Sequence, residues 1–228
     1  QGLGMMQIQS LTLSNDDDQF NLVRLSNVGE VTRITNPITI DHTLLRQYLL
    51  PGLLRLLSTN RHHDLPQSVY EVGTVVRGHK NSSRLAFLTA ERSGGFAAIR
   101  GRIQAFLRDL GATEYEISPL PANEGPWLAG RAAKVVVNGN HIGCFGEIDP
   151  NVAELFELNV PMNGAEFSLQ EIAKSDMNGT EMVGLSIHCI SLDSAYNVTR
   201  EHHPGIDFRI IPDLHEVKVL LTKHLAKS

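Results

Sequence analysis

Apolar residues recur at positions 44, 45, 49, 50, 53, 54, 56 and 57, so densely that a helix built from them has no wholly polar face. The spacing predicts a long helix over Thr43–Asn60, with Asp41 or Thr43 as its cap. Pro51 removes a backbone donor inside that stretch, so a kink or break is expected at Leu50. One small sheet cannot cover such a helix on every side. Half of its leucines are expected to face the chain's own sheet. The rest, with Tyr48, are expected to face a second body, most simply another subunit.

The remaining pattern alternates strands and helices. Met5–Ser14 and Val31–Ile34 read as strands, with a turn at Asn15–Asp18 between them. After Pro66, Ser68–Val76 reads as a β-branched strand that pairs with Leu85–Thr89. Phe96, Ile99, Ile103, Phe106, Leu107 and Leu110 fall on one helical face, while Arg100, Arg102, Arg108 and Asp109 fall mostly outside it. Gly111 is the expected stop. Tyr115–Ile117 is a short strand and Pro119–Gly130 a loop that carries Trp127. Asn138-Gly139, between Ala132–Val137 and His141–Phe145, is a type I′ hairpin signal. A helix over Asn151–Leu158 and a strand over Ala165–Leu169 follow. The sum is an α+β fold with one sheet, mostly antiparallel.

Composition narrows the picture. The 228 residues are 42% hydrophobic and 20% charged, ordinary values for a globular domain with a core. The net charge of −5 argues against a general nucleic-acid coat, and no basic patch stands out along the chain. Cys144 and Cys189 are few and far apart, which fits reduced thiols in a reducing, cytoplasmic setting. No apolar run reaches the length of a membrane helix and no signal peptide is visible. The start at Gln1-Gly2-Leu3-Gly4 suggests an excised fragment.

Candidate chemistry is sparse. His62-His63 and His202-His203 lack recurrent ligand spacing, so no metal is expected. Arg61, His62 and His63 suit a helix end. Trp127 is expected at a sheet edge rather than against a base, and Cys144 in the core. Gly94-Gly95 lacks the Lys-Ser/Thr of a phosphate loop and reads as a turn.

Asn36-Pro37, Leu44-Leu45-Arg46, Leu49-Leu50-Pro51-Gly52-Leu53-Leu54, Asn60, Leu65-Pro66 and Tyr70-Glu71-Val72-Gly73 occur in that order. They are followed by Gly130-Arg131-Ala132-Ala133, Val137-Asn138-Gly139, Phe145-Gly146-Glu147-Ile148-Asp149-Pro150 and Ala165-Glu166-Phe167. This series resembles the catalytic-like core of the phenylalanyl-tRNA synthetase beta subunit family, archaeal and eukaryotic type. The resemblance implies a class II synthetase-like antiparallel sheet flanked by helices over residues 1–174. It leaves 175–228 as an extension of unknown role, read as a linker, a strand over Met182–Leu192 and a helix over Leu214–Leu225.

It also implies that the motif-1 helix forms the subunit interface, through Leu44, Leu45, Tyr48, Leu49, Leu53, Leu56 and Leu57. Active members of that fold hold ATP phosphates with one arginine from motif 2 and one from motif 3, because a guanidinium can grip phosphate oxygens bidentately. The motif-2 counterpart here is Gln67–Glu71, with Ser68 and Glu71 and no arginine before Arg77. The motif-3 counterpart carries Glu147, Asp149 and Pro150. Both clamps are missing, so a catalytically inactive module is expected, binding no cofactor. Its implied partner is the alpha subunit of a heterotetramer, which uses ATP and Mg2+; tRNA is met through the assembled complex. The alternative is a free-standing paralogue that serves as a dimerisation or small-molecule binding module.

Overall fold

The computed structural model describes residues 3–121 and 124–175; the strand and helix expected beyond 175, Cys189 and His202-His203 lie outside the described residues. Its strands are β1 (Met6–Gln7), β2 (Leu13–Ser14), β3 (Leu44–Leu45), β4 (Gln67–Arg77), β5 (Lys80–Ala90), β6 (Tyr115–Pro119), β7 (Trp127–Val137), β8 (Asn140–Ile148) and β9 (Met162–Ser168). The helices are α1 (Leu50–Thr59), α2 (Phe96–Asp109), α3 (Pro150–Leu155) and α4 (Leu169–Lys174), with a π-helical turn at Asp17–Asn21. Seven strands form one sheet in the order β1-β4-β5-β9-β8-β7-β6, antiparallel throughout except for β1 beside β4. β2 and β3 pair separately.

Two hairpins are set by local turn chemistry. Gly78 and His79 adopt φ of 54° and 60°, and Asn138 and Gly139 adopt 48° and 81°. Two consecutive left-handed residues match the twist of the flanking strands. They fix Arg77 opposite Lys80 and Val137 opposite Asn140. The last strand, β9, then enters between β5 and β8. Met162–Phe167 are all buried, because helices cover both faces of the sheet there.

One face packs against α1, α3 and the segment after the π-helical turn, through Leu50, Leu53, Leu54, Leu57, Val152 and Phe156. The other packs against α2 and α4, through Ile99, Ile103, Leu107, Phe145, Phe167 and Ile172. α2 ends as expected. Gly111 takes φ of 78°, and Ala112 donates to the Leu107 carbonyl at 2.9 Å, closing a Schellman turn.

The long helix over Thr43–Asn60 is corrected. Leu44–Leu45 are extended, paired with Leu13–Ser14, and helix begins only at Leu50. Pro51 therefore sits in the first turn, where its missing N–H costs nothing. Neither Asp41 nor Thr43 caps it. The carboxylate of Glu166, from the middle of β9, accepts from Leu49 N at 3.1 Å and Leu50 N at 3.0 Å. Met5–Ser14 is two short strands in different sheets, and the expected strand at Val31–Ile34 reduces to a bridge between Arg33 and Leu44. β7 begins at Trp127, which is buried rather than held in a loop. α3 stops at Leu155, short of the expected Leu158, since Glu157 adopts φ of 58°.

Side chains also fix the backbone just before α1. Gln19 Oε1 accepts from Gln47 N and Tyr48 N, both at 2.9 Å. Arg77 donates to the Gln47 carbonyl and lies over the Tyr48 ring, 4.6 Å from its centroid. Buried Arg46 pairs with buried Glu71 at 2.8 Å, and Ser10 donates to the same carboxylate at 2.6 Å. Gly73 is required beside them: a Cβ there would lie 2.5 Å from Arg46 Nη2.

Glu166 thus serves two partners, since its other oxygen pairs with Arg84; both side chains are about nine-tenths covered. Glu166→Gln is expected to cost about 3 kcal/mol, because it leaves a buried guanidinium without its counter-charge. Arg33→Ala, which breaks an exposed pair with Asp16, is expected to cost less than about 1 kcal/mol. Urea unfolding midpoints of the two variants test the contrast.

Candidate functional site

Seven residues are expected at a subunit interface, and the structure divides them. Leu44, Leu49, Leu53 and Leu57 lie in the chain's own core, at most 2% exposed, so they are not available to a partner. The reason is the late helix start: once Leu44 is extended, the leucines before and after Leu50 no longer form one helical stripe. Leu45, Tyr48 and Leu56 keep partial exposure.

The exposed apolar surface lies instead in front of α1. Leu11 is 67% exposed, Leu13 38%, Ile40 86%, and Ile38 is fully so. These residues come from the strands and loops that precede the helix. Leu11, Leu13 and Ile40 join Leu56 in lining an open cleft of about 930 Å³, with Asp17 and Asp41 among the acidic residues of its wall. Sequence reasoning passed over Ile38 and Ile40. The alternation Ile38-Thr39-Ile40 after Pro37 is the signal that was available.

The residues expected at degenerate motifs fall in three places. Ser68 on β4 is opposite Thr89 on β5, Thr89 opposite Asn163 on β9, and Asn163 opposite Glu147 on β8. Ser68 and Glu147 therefore end one polar row across four strands, on the face that α2 covers. Glu147 accepts the Phe96 N–H at the start of α2. Arg131 stands 3.9 Å from Glu147, and Arg102 stands 3.2 Å from Glu91 above the row. Each of these guanidiniums already faces a carboxylate.

Glu71 is not part of the row. It points to the other face of the sheet, where it is fully buried against Arg46 and Ser10. Asp149 and Pro150 belong to the start of α3. Asp149 accepts from Asn151 N at 2.9 Å as an N-cap, Pro150 follows at the first helical position, and Arg24 pairs with Asp149 at 2.7 Å. These residues build a helix end rather than a phosphate clamp.

Other candidates resolve as structure. His62 and His63 are exposed, and among the described residues no three His, Cys, Asp or Glu side chains converge as metal ligands. Arg61 pairs with Glu157. Cys144 packs at the border of the α1-side core, and burial pushes its thiol up to about 11. Among the described residues no helix is long and apolar enough to cross a membrane.

The profile of the family described as phenylalanyl tRNA synthetase beta chain CLM domain matches residues 1–169. The chain is 38% identical over 168 residues to the phenylalanine–tRNA ligase beta subunit of Methanothrix thermoacetophila, an alignment covering 74% of this chain and 30% of that one. It is likewise 38% identical over 170 residues to the beta subunit of Archaeoglobus fulgidus, with 74% and 30% covered. Against that of Methanopyrus kandleri it is 34% identical over 171 residues, with 72% and 29% covered. The chain thus spans just under a third of the length of these relatives.

Burial alone would raise the Asp149 carboxyl, but the Asn151 N–H and the Arg24 guanidinium outweigh it and hold the group below its ordinary value. A depressed folded-state value stabilises the protein above the unfolded carboxyl range, and that stabilisation is lost as pH falls through the folded value. Asp149→Asn is therefore expected to be destabilising at pH 7, with the difference from the wild type shrinking below about pH 4. Urea titrations across that range measure it; a difference that stays constant with pH rules out the ionic role.

Proposed function

The chain belongs to the phenylalanyl tRNA synthetase beta chain CLM domain family, and from that premise we propose that it is a non-catalytic module of a phenylalanine–tRNA ligase beta subunit. In this reading it has a class II synthetase-like fold that pairs with the catalytic alpha subunit in the cytoplasm. The alpha subunit uses ATP and Mg2+ to charge tRNA with phenylalanine, and the module supports assembly.

The observation that carries the pairing is the apolar face in front of α1. Leu11, Ile38 and Ile40 are each about two-thirds exposed or more, and all belong to the chain that precedes α1. Burying each against a partner is worth roughly 1.5–3 kcal/mol. Leu56 lines the same cleft and Leu45 lies opposite Leu13. The absence of chemistry is supported by the polar row. Adenylate formation places charge on phosphate oxygens, and free guanidiniums are the groups suited to hold it. Here Ser68 and Glu147 end the row, and the arginines beside it already face Glu91 and Glu147.

The same apolar face also suits self-association, the free-standing paralogue reading. Co-purification with a cognate alpha subunit decides between them. The wild-type chain is expected to bind alpha, to catalyse no ATP–pyrophosphate exchange alone, and to support charging in the complex. Leu11→Glu with Ile40→Glu is expected to weaken that association by more than about tenfold, since two apolar anchors become buried charges. A chain that ignores alpha and forms its own dimer favours the paralogue. Exchange activity in the isolated chain overturns the non-catalytic reading.

A further inference from the structure

The cleft in front of α1 is acidic as well as apolar. Leu11, Leu13 and Ile40 line it, with Leu56 contributed by α1. Its two arginines are already committed, Arg46 to buried Glu71 and Arg55 to Asp18. Of its four aspartates, Asp16 and Asp18 are paired, with Arg33 and Arg55. Asp17 takes a neutral amide from Asn21, and neither Asp17 nor Asp41 makes an ion pair among the described residues. A cationic partner with an apolar stripe is the complement of such a wall.

The same chain carries that complement outside the described residues. Residues 214–228 hold Lys218, Lys223 and Lys227 against one acid, Glu216. Leu214, Val217, Leu221 and Leu225 recur at helical spacing, and Leu220 widens their stripe. At about 100° per residue, Lys218 and Lys227 fall at the two edges of that stripe. Of the large apolar residues there, only Val219 falls outside it. Asp213 just ahead, with Glu216 three residues later, matches the residue types of a helix N-terminus. A helix this short is marginal alone in water, so its stripe needs a cover. Residues 176–213 separate the segment from Ser175 and, at roughly 3.3 Å per residue, reach roughly 125 Å when extended. A compact domain of about 175 residues has a radius of gyration of only about 16 Å. The cleft is therefore within reach, although α4 ends on the other face of the sheet.

We propose that residues 214–227 dock as an amphipathic helix in the cleft of their own chain. The leucine stripe covers Leu11, Leu13, Ile40 and Leu56, while Lys218 and Lys227 turn to Asp17 and Asp41. Three arguments favour this occupant: the charges are opposite, both apolar surfaces need cover, and the segment is tethered. Tethering presents it at an effective concentration on the order of millimolar, which a second copy or a free protein must exceed. The segment then acts as a gate. A partner that needs the cleft binds only the fraction of chains from which the segment has left, so its apparent affinity falls by that fraction. This gating, unlike the docking itself, rests on the reading that alpha pairs at this face.

The test uses the full chain and a carbodiimide, which joins a carboxylate to an amine only where the two touch. Peptide mass spectrometry of the monomer fraction is expected to find Lys218 or Lys227 coupled to Asp17 or Asp41. Leu221→Asp with Leu225→Asp is expected to lower that yield at least several-fold. The same variant is expected to speed amide hydrogen exchange in residues 38–43 about tenfold or more, with exchange in β8 unchanged as the check on folding. Lysines that couple evenly to exposed carboxylates elsewhere, such as Glu114 and Glu116, overturn the proposal. So does coupling found only between two chains, which would make a second copy the occupant. Alpha keeps the two readings apart. The leucine variant is expected to bind it at least threefold more tightly than the wild type does, and equal affinities overturn the gate. A chain that shows the variant-sensitive coupling yet never binds alpha sinks the pairing and upholds the docked segment.

Discussion

A single carboxylate in the middle of the last strand fixes where the first helix begins. Glu166 turns one oxygen to Arg84 on the neighbouring strand and the other to the N–H groups of Leu49 and Leu50. The first turn of a helix has orphan donors, and a negative charge there is stabilised by both the hydrogen bonds and the helix dipole. In a covered site this charge must also be balanced, and Arg84 does that. The consequence is geometric. α1 starts at a point set by the register of β9 between β5 and β8, so the leucines of α1 are aimed at the sheet face that β9 completes. Residues 46–50 then hang between two holders, Gln19 on one side and Glu166 on the other.

That arrangement explains what was legible in the sequence. The β7–β8 hairpin could be read because Asn138-Gly139 carries its own turn preference. α2 could be read because its apolar stripe and the Gly111 stop are local. The start of α1 could not. Its cap is 116 residues away in Glu166, and Leu44–Leu45 are extended only because Leu13–Ser14 pair with them. Dense leucine is equally consistent with helix and with a strand that runs into a helix. The strand order was also hidden. That Ser68 and Glu147 share one row depends on β9 inserting between β5 and β8, which no local pattern announces.

The misplaced helix start had a direct effect on the expected interface. An unbroken helix from Thr43 would have presented leucines on two sides. With the helix shortened to ten residues, those leucines are consumed by the core, and the apolar exposure moves to the chain segment before it. Beside the cleft between that segment and α1, Ser10, Arg46 and Glu71 tie the segment to the sheet. Ser10 lies against Gly52 of α1, where a Cβ would come within 3.0 Å of its hydroxyl. Glycine at 52 therefore sets how closely the two walls of the cleft approach.

The polar row and the opposite face of β4 differ in what depends on them. Its residues are not held by one another. Glu147 serves the start of α2, and Thr89 and Asn163 sit on strands whose pairing is backbone to backbone. No hydrogen bond or ion pair joins the Ser68 side chain to another element among the described residues. Glu71, three residues further along the same strand, is the opposite case: it points to the other face, carries the Arg46 pair, and needs Gly73 for room. On the first face α2 keeps its apolar stripe against the sheet while its outward arginines remain in water.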